Sequence, residues 1–330
     1  MGNHKEYDFK VISLNVRGLG DKKKRKAVFQ WLKKHEYDMI YLQETHSNID
    51  IEKEWKQEWD GVLVMSHGSS QSKGCMILFN KHLDADIKEI TCDNSGRYIV
   101  LQCEVMGENY VFINVYAPNT ENEQVLFIKE IETKLSQLNY TSSNQYVIGG
   151  DWNIVRDGQL DKFGGIQNLK LKAIEQQDAF MNSYELNDSW RIKYPFTKRY
   201  TWRQKKPLIQ CRLDYWLISD SLFDCIESMD IIPSIHSDHS AIIVTFKHIP
   251  DERKGPGLWK LNTSLINDSV YTETLKTNIR KWKNDYECIG DSRVKWELVK
   301  YEIRKFSIKF SKEKQRNKHT EKIELETMFR

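Results

Sequence analysis

Ser237-Asp238-His239 stands between an isoleucine-rich stretch and the apolar run of residues 241–246, where a strand is expected to begin. An acid and an imidazole at the mouth of a buried strand carry a desolvation penalty of several kcal/mol unless they are paired or hold a cation. A polar turn capping an edge strand would account for the triplet alone, but the pattern recurs along the chain. Val11-Ile-Ser-Leu ends at Asn15, Met39-Ile-Tyr-Leu-Gln at Glu44, and Val111-Phe-Ile-Asn-Val at Tyr116, with Asn119 just beyond. Val147-Ile-Gly-Gly leads into Asp151-Trp-Asn153, and Arg212-Leu into Asp214. Each has a plainer role by itself: Asn15 in a turn, Glu44 as the first-turn acid of a helix, Tyr116 in a core, Asp151 in an Asx turn. Together they put groups suited to metal or phosphate chemistry at the end of almost every strand-like run. There they can converge at one edge of a sheet sandwich without spoiling its core, and Gly149 and Gly150 let backbone approach closely.

The elements that must position these groups are legible as periodicity. Strand-like runs cover residues 9–15, 39–43, 75–79, 98–105, 110–116, 146–148, 213–218 and 241–246. Helical spacing places Ala27, Val28, Trp31 and Leu32 on one face of residues 24–35, and Ile128, Ile131, Leu135 and Leu138 on one face of residues 125–138. The mixture predicts a layered α/β fold, and the short gap between 98–105 and 110–116 predicts a hairpin, so mixed sheets rather than a purely parallel one.

Composition bounds the function. With 39% hydrophobic and 12% aromatic residues, a chain of 330 residues can bury a sizeable core, which excludes disorder throughout. The net charge of +3 arises from 50 basic and 47 acidic residues, so a nucleic-acid surface must be a local patch. Six cysteines without a Cys-x-x-Cys pair fit reduced thiols and argue against structural zinc. Met1 to Tyr7 has no apolar signal core, Glu6 stands where a myristoylation motif needs Ser or Thr, and no run approaches the ~20 apolar residues of a membrane span. An intracellular protein without membrane contact is expected. Breaker residues at 250–257 predict a domain boundary, giving one domain over 1–249 and a basic helical tail over 250–330. In the tail, Trp296, Val299, Ile303, Phe306 and Phe310 follow helical spacing and need an apolar partner, either the chain's own core, another chain or a further domain.

In their order, Leu14-Asn-Val-Arg-Gly18, Gln43-Glu-Thr45, Asn114-Val-Tyr-Ala-Pro118, Gly150-Asp-Trp-Asn153, Arg212-Leu-Asp-Tyr215 and Ser237-Asp-His239 resemble the endonuclease/exonuclease/phosphatase family across residues 9–246. Within it the chain looks most like the endonuclease module of non-LTR retrotransposons, itself similar to abasic-site endonucleases and exonuclease III. The stretch 255–260 is similar to the segment that follows this module. The resemblance implies an α/β (α+β) four-layer sandwich of two packed mixed β-sheets flanked by helices, with a C-terminal helical extension. It also implies Mg²⁺-dependent hydrolysis of double-stranded DNA, Mn²⁺ being able to substitute, in the nucleus. Glu44 and Asp238 are oxygen donors of the kind Mg²⁺ takes, and Asn15 can add a carbonyl or orient a water. By resemblance Asp151 activates or positions the attacking water, and with Asn153 it also joins the metal set. Asn153 and Tyr116 donate to the scissile phosphate, Asn119 contacts backbone beside it, and His239 faces the phosphate, oriented by Asp214. DNA contacts are expected from Thr201, Trp202, Arg203 and Ser237.

Two departures qualify the match. Arg17 stands where the repair enzymes of the family carry an acid, and Cys211 where they carry an aromatic lining a pocket for a flipped abasic sugar. These favour nicking of ordinary duplex. The alternatives are an exonuclease III-like or abasic-site repair nuclease, a phosphoesterase on other substrates, and a decayed copy that only binds DNA. Residues 193–206 mix aromatics with cations, as either a DNA-facing loop or an ordinary charged hairpin would. Residues 22–26, Lys-Lys-Lys-Arg-Lys, fit a nuclear localisation patch, a solvated helix face or a phosphate contact. The tail could hold a protein or RNA partner, and a fragment, a truncated copy and a free-standing gene all stay open.

Overall fold

The computed structural model describes residues 8–247, apart from 84, 106 and 139–143, and residues 261–328, apart from 262 and 288. The breaker segment at 250–257, the likeness at 255–260, the N-terminal heptapeptide and Cys288 lie outside the described residues. Contacts divide the chain into two compact units, Met1–Glu252 and Arg253–Arg330.

The first unit begins β1 (Phe9–Asn15), α1 (Lys22–Lys34), β2 (Met39–Gln43), α2 (Glu52–Glu58), β3 (Leu63–Ser66), β4 (Cys75–Phe79) and β5 (Ala85–Cys92). It continues with β6 (Tyr98–Val105), β7 (Glu108–Tyr116), α3 (Glu121–Gln137), β8 (Gln145–Asp151), β9 (Lys162–Phe163), α4 (Leu171–Ser183), β10 (Leu186–Asp188) and α5 (Ser189–Lys193). It ends with β11 (Trp202–Gln204), β12 (Ile209–Cys211), β13 (Asp214–Ser219), β14 (Ile226–Ile232) and β15 (Ala241–Phe246). Every strand read from the sequence is present, and both helices fall within a few residues of their predicted bounds. Asp21 starts α1 by accepting the Lys24 N–H at 2.7 Å.

Two six-stranded sheets result, in the orders β14-β15-β1-β2-β4-β3 and β10-β13-β8-β7-β6-β5. Each is antiparallel except for one central parallel pair, β1 with β2 and β7 with β8. A parallel pair requires a crossover, and α1 and α3 supply them. The sheets bury Val11, Tyr41, Ile77, Leu101, Phe112 and Trp216 between them. The outer face of one packs Ile12, Leu14 and Leu42 against Val28, Phe29 and Trp55 of α1 and α2. The outer face of the other packs Ile113, Ile148 and Leu217 against Ile128, Ile131 and Phe180 of α3 and α4. This is the expected four-layer sandwich with mixed sheets. The periodicity did not reveal β5 and β14 because they are edge strands with charged residues facing solvent, an arrangement that discourages edge pairing.

Polar bridges register the two sheets. Gln43 of β2 donates to Asn114 Oδ1 of β7 at 2.7 Å, and Asn114 returns its amide to the carbonyls of Leu42 and Met76. Tyr41 donates to the Val147 carbonyl at 3.2 Å. All these side chains are buried and their donors find acceptors across the interface, which fixes relative position, while Gln43 Oε1 has no hydrogen-bond partner among the described residues.

The second unit holds α6 (Ser269–Asp285) and α7 (Ser292–Met328). Tyr271 stacks on Phe306 at 5.6 Å and its hydroxyl meets Ser307 Oγ at 2.6 Å, while Val299 is buried. Part of the apolar stripe of α7 therefore has its partner in α6, a helix not read from the sequence, whereas Trp296 is 53% exposed. Among the described residues no helix is long and apolar enough to cross a membrane.

Gly149 lies against the buried Trp216, and a Cβ there would come within 2.1 Å of the indole ring. Gly149→Ala is therefore expected to destabilise the fold by about 1–3 kcal/mol through overpacking, read as a lowered melting temperature.

Candidate active site

The two parallel pairs deliver their C-terminal ends to one edge of the sandwich. Asn15 closes β1 and Glu44 follows β2; Tyr116 closes β7 and Asp151 closes β8. Antiparallel neighbours bring the rest: Asp214 pairs in register with Asp151, and His239 precedes β15, the partner of β1. Ser237 ties that approach to β1 by donating to the Asn15 carbonyl at 2.7 Å, and His239 forms a bridge with Trp202. Two sheets thus contribute to a single cluster. Its loops are strained, with left-handed φ at Arg17 (48°), Glu44 (51°), His46 (55°), Asn153 (51°) and His236 (57°). Such conformations persist only where surroundings over-determine them, and they gather at functional sites.

Asn15 lies at the centre. The Arg17 N–H donates to its Oδ1 at 3.0 Å, which fixes the carboxamide so that Nδ2 faces two carboxylates. That nitrogen donates to Glu44 at 2.9 Å and to Asp151 Oδ2 at 3.0 Å. Asn15 was expected to add a carbonyl or orient a water; here the backbone of its own turn claims the oxygen and the amide is presented to the acids. Asp151 also accepts the Asn153 N–H at 3.0 Å, and burial, with the charge of Glu44 nearby, pushes the Tyr116 hydroxyl well above its ordinary pKa. His239 Nδ1 lies 2.8 Å from Asp214 Oδ2, and its Nε2 lies 3.9 Å from Asp151 Oδ2. Burial opposes a charged imidazole, but Asp214, with Asp151 and Asp238 nearby, outweighs it and raises His239 to about 10. Burial, and then the charge of Asp214, pushes Asp151 up to about 7.

Donor chemistry decides what cation this cluster could hold. Asp151, Asp214 and His239 offer ligand atoms within 4.8 Å of one another, but Asp214 and His239 Nδ1 are engaged with each other. Glu44 is linked to this group through Asn15 Nδ2, which also bonds Asp151, and Asp238 adjoins His239 in the chain, so two further carboxylates are at hand. Asp214 Oδ1 and Asp238 Oδ1 are buried and have no hydrogen-bond partner among the described residues, which an ion or its waters would satisfy. Oxygen-rich, thiolate-free ligation fits a hard divalent cation such as Mg²⁺ or Mn²⁺.

Residues 12–239 match the model of the Endonuclease/Exonuclease/phosphatase family. The chain belongs to that family. It is 24% identical over 304 residues to the transposon TX1 uncharacterized 149 kDa protein of Xenopus laevis, covering 92% of this chain but spanning only 23% of that protein's length. It is 25% identical to an exodeoxyribonuclease of Bacillus subtilis, over 71% of this chain and 97% of that one. Among solved structures, the AP endonuclease of Leishmania major superposes with a TM-score of 0.60 at 18% identity, over 73% of this chain and 88% of that one, a likeness of fold.

Around the core of this Endonuclease/Exonuclease/phosphatase site, the remaining predicted residues divide. Trp202 donates to Asp238 Oδ2 at 3.3 Å, Arg203 is exposed and reaches Ser240 at 3.2 Å, and Asn119 is exposed. Asn153 donates its side-chain amide to the Ala117 carbonyl at 2.9 Å, tying the loops after β7 and β8 together. Thr201 does not fit a direct DNA contact. It is fully buried, and its hydroxyl accepts the N–H groups of Leu213 and Asp214, so it holds β13 in place. Within 193–206, Tyr194 packs on Trp190 and Arg199 bonds the Ile231 carbonyl, leaving Arg203, Lys205 and Lys206 outward. The basic run 22–26 splits likewise. Arg25 is buried on Glu54 and Glu58, whereas Lys24 reaches the Arg17 carbonyl at 2.9 Å.

Several supporting residues have partners far along the chain; Lys170, Arg97 and Arg191 carried no sequence signal for this, whereas Arg212 stood in the Arg212-Leu-Asp-Tyr215 motif without an assigned role. Lys170 bonds the carbonyls of Asn119 at 2.7 Å and Asn153 at 2.9 Å. Arg97 lies over the Tyr116 ring at 4.8 Å. Arg212, fully buried, grips Asp161 at 2.7 and 2.9 Å and Asp188 at 3.1 and 2.6 Å, while Arg191 also pairs with Asp161.

Both upward shifts have one sign for stability. Asp151 favours folding below its ordinary 3.8 and loses that contribution as pH rises to about 7; His239 does so from 6.5 to about 10. In EDTA the melting temperature is expected to fall as pH rises from about 5 to 9, as this linkage requires. Asp214→Asn removes the charge that raises His239, so the fall above neutral pH should flatten. An unchanged slope there would refute the pairing.

Proposed function

We propose that this chain is a divalent-metal-dependent endonuclease that nicks duplex DNA by hydrolysis, of the type found in retrotransposons. The observation that carries the proposal is the line from Asp214 through His239 to Asp151, 2.8 and 3.9 Å, set beside the carboxylates of Glu44 and Asp238. Glu44 and Asp238 would hold the ion, with Asp151 at its margin. Bound there, a divalent cation supplies charge compensation for the phosphate oxygens and lowers the pKa of a coordinated water.

The protein groups have separable tasks in this reading. Asp151, held up by burial, accepts a proton from the attacking water. Charged His239, kept so by Asp214, faces a nonbridging oxygen and stabilises developing negative charge. Tyr116 and the free amide hydrogen of Asn153 donate to the same phosphate. Arg203, Lys205 and Lys206 offer a local cationic edge for the phosphate backbone, which a net charge of +3 spread over the chain does not supply.

Two observations bear on the choice of nuclease. Similarity to the transposon protein extends over 304 residues, more than the first unit contains, which supports the retrotransposon reading. Cys211, buried and paired across the β11–β12 hairpin with Trp202, is too small to form an aromatic wall for a flipped sugar. The rival, a repair-type exonuclease or abasic endonuclease, draws support from the exodeoxyribonuclease likeness over nearly all of that enzyme.

Supercoiled plasmid and an abasic duplex, each with Mg²⁺ or EDTA, separate the two. Nicking of plasmid that EDTA abolishes is expected, and abasic cleavage far exceeding nicking would overturn the preference. His239→Ala should lower nicking about 10²–10⁴-fold, the range for a positioned acid-base group.

A further inference from the structure

Arg17 has a left-handed φ of 48° and is followed by Gly18 at 84°. Four contacts enforce this turn. The Arg17 N–H donates to Asn15 Oδ1 at 3.0 Å, and the Arg17 carbonyl accepts Lys24 Nζ at 2.9 Å. Gly18 and Leu19 donate to the carbonyls of Glu44 and Thr45 at 2.6 and 3.0 Å. The outcome is a guanidinium aimed at Asp238, with NH1 3.2 Å from Oδ2.

Stability does not explain such an arrangement. The Arg17 side chain is 65% exposed and that of Asp238 29%, and ion pairs of this exposure add little to folding. A strained backbone has been enforced to make a contact of small structural value. Asp238 is unevenly served as well: its Oδ2 takes both Arg17 and Trp202, while Oδ1 is buried without a partner among the described residues. That oxygen is free for an ion, and an ion there would share its carboxylate with a fixed positive charge.

We propose that Arg17 is a built-in counter-cation that competes with the divalent ion for Asp238 and, once released, grips a DNA phosphate beside the site. The inference rests on the metal-dependent DNA reading above. A guanidinium stays charged at any working pH and its fork matches phosphate oxygens, so the released side chain is suited to that second contact. Both partners of Arg17 are anions, and it serves one at a time. DNA that draws Arg17 away from Asp238 therefore strengthens metal binding, and by linkage metal strengthens DNA binding by the same factor. The factor expected from an exposed pair is on the order of two- to fivefold.

The test titrates Mn²⁺ into the full chain without DNA, followed by electron paramagnetic resonance, for the parent and for Arg17→Asn. Asparagine tolerates the left-handed turn, and melting curves verify that the variant folds. Arg17→Asn is expected to bind Mn²⁺ about two- to fivefold more tightly. In a His239→Ala background, which limits cleavage, affinity for a labelled duplex is then measured with Mn²⁺ and with EDTA. The parent side chain should give about a two- to fivefold gain from Mn²⁺, and Arg17→Asn should bring that ratio close to one. Simple removal of a nearby positive charge would tighten Mn²⁺ binding yet leave the ratio intact, and that result overturns the proposal. Equal or weaker Mn²⁺ binding by Arg17→Asn overturns it too. If the parent binds no Mn²⁺ at millimolar concentration, the metal-dependent reading itself falls, a separate failure.

Discussion

The carboxamide of Asn15, wedged between Glu44 and Asp151, is the contact on which the rest of the edge depends. It comes from one sheet, and the two acids it separates come from both. Two carboxylates brought this close in a buried setting repel, and each has lost most of its water. A donor shared between them relieves both penalties, which is possible only while the sheets keep their spacing. That spacing is set a residue or two deeper by Gln43 and Asn114, whose amides interlock across the same interface. The polar layer therefore acts as the sandwich's register mark: the apolar core would tolerate a small slide, but the amide bridges would not.

The architecture follows a single plan used twice. Each sheet has a strand, a crossover helix and a parallel partner, and each parallel pair releases its polar residues at the same end. This explains why strand ends were so informative in the sequence. Period-two and near-continuous apolar runs marked the central strands, and the polar residue that broke each run marked the edge of the sandwich. Edge strands such as β5 and β14 were invisible for the converse reason, since charged residues on their open side blur the apolar pattern. The same logic divides the candidate site. Asn15, Glu44, Tyr116, Asp151, Asp214 and His239 were legible because they interrupt hydrophobic runs, and the structure brings them together. Lys170 and Arg97 were not, because what defines them is a partner distant in sequence, a carbonyl or a ring that no local pattern announces. Thr201 shows the limit from the other side: a polar residue in a basic, aromatic stretch reads as a surface contact, yet its hydroxyl is spent on two backbone N–H groups.

Electrostatics at the edge is a matter of arrangement more than of net charge. His239 is flanked by acids and Asp151 by burial and a second acid, so a positive imidazole and a reluctant carboxylate face each other within 3.9 Å. Arg17 and Lys24 stand on the outer side of the same group of acids, bound into one turn. Cations of the protein thus line both margins of an acidic centre, which keeps that centre tolerable in a folded chain and attractive to an anionic polymer.

The buried grip of Arg212 on Asp161 and Asp188 has a consequence for how such a gene can decay. Stripping one member from a buried charge cluster costs about 3–5 kcal/mol, against a total stability of roughly 5–15 kcal/mol for a domain. Random substitution strikes these three positions as readily as it strikes Asp151 or His239. Many of the variants it produces would then be lost to misfolding and proteolysis rather than persist as folded but inactive chains. The cluster thereby ties the chain's tolerance of substitution to its interior as much as to its site.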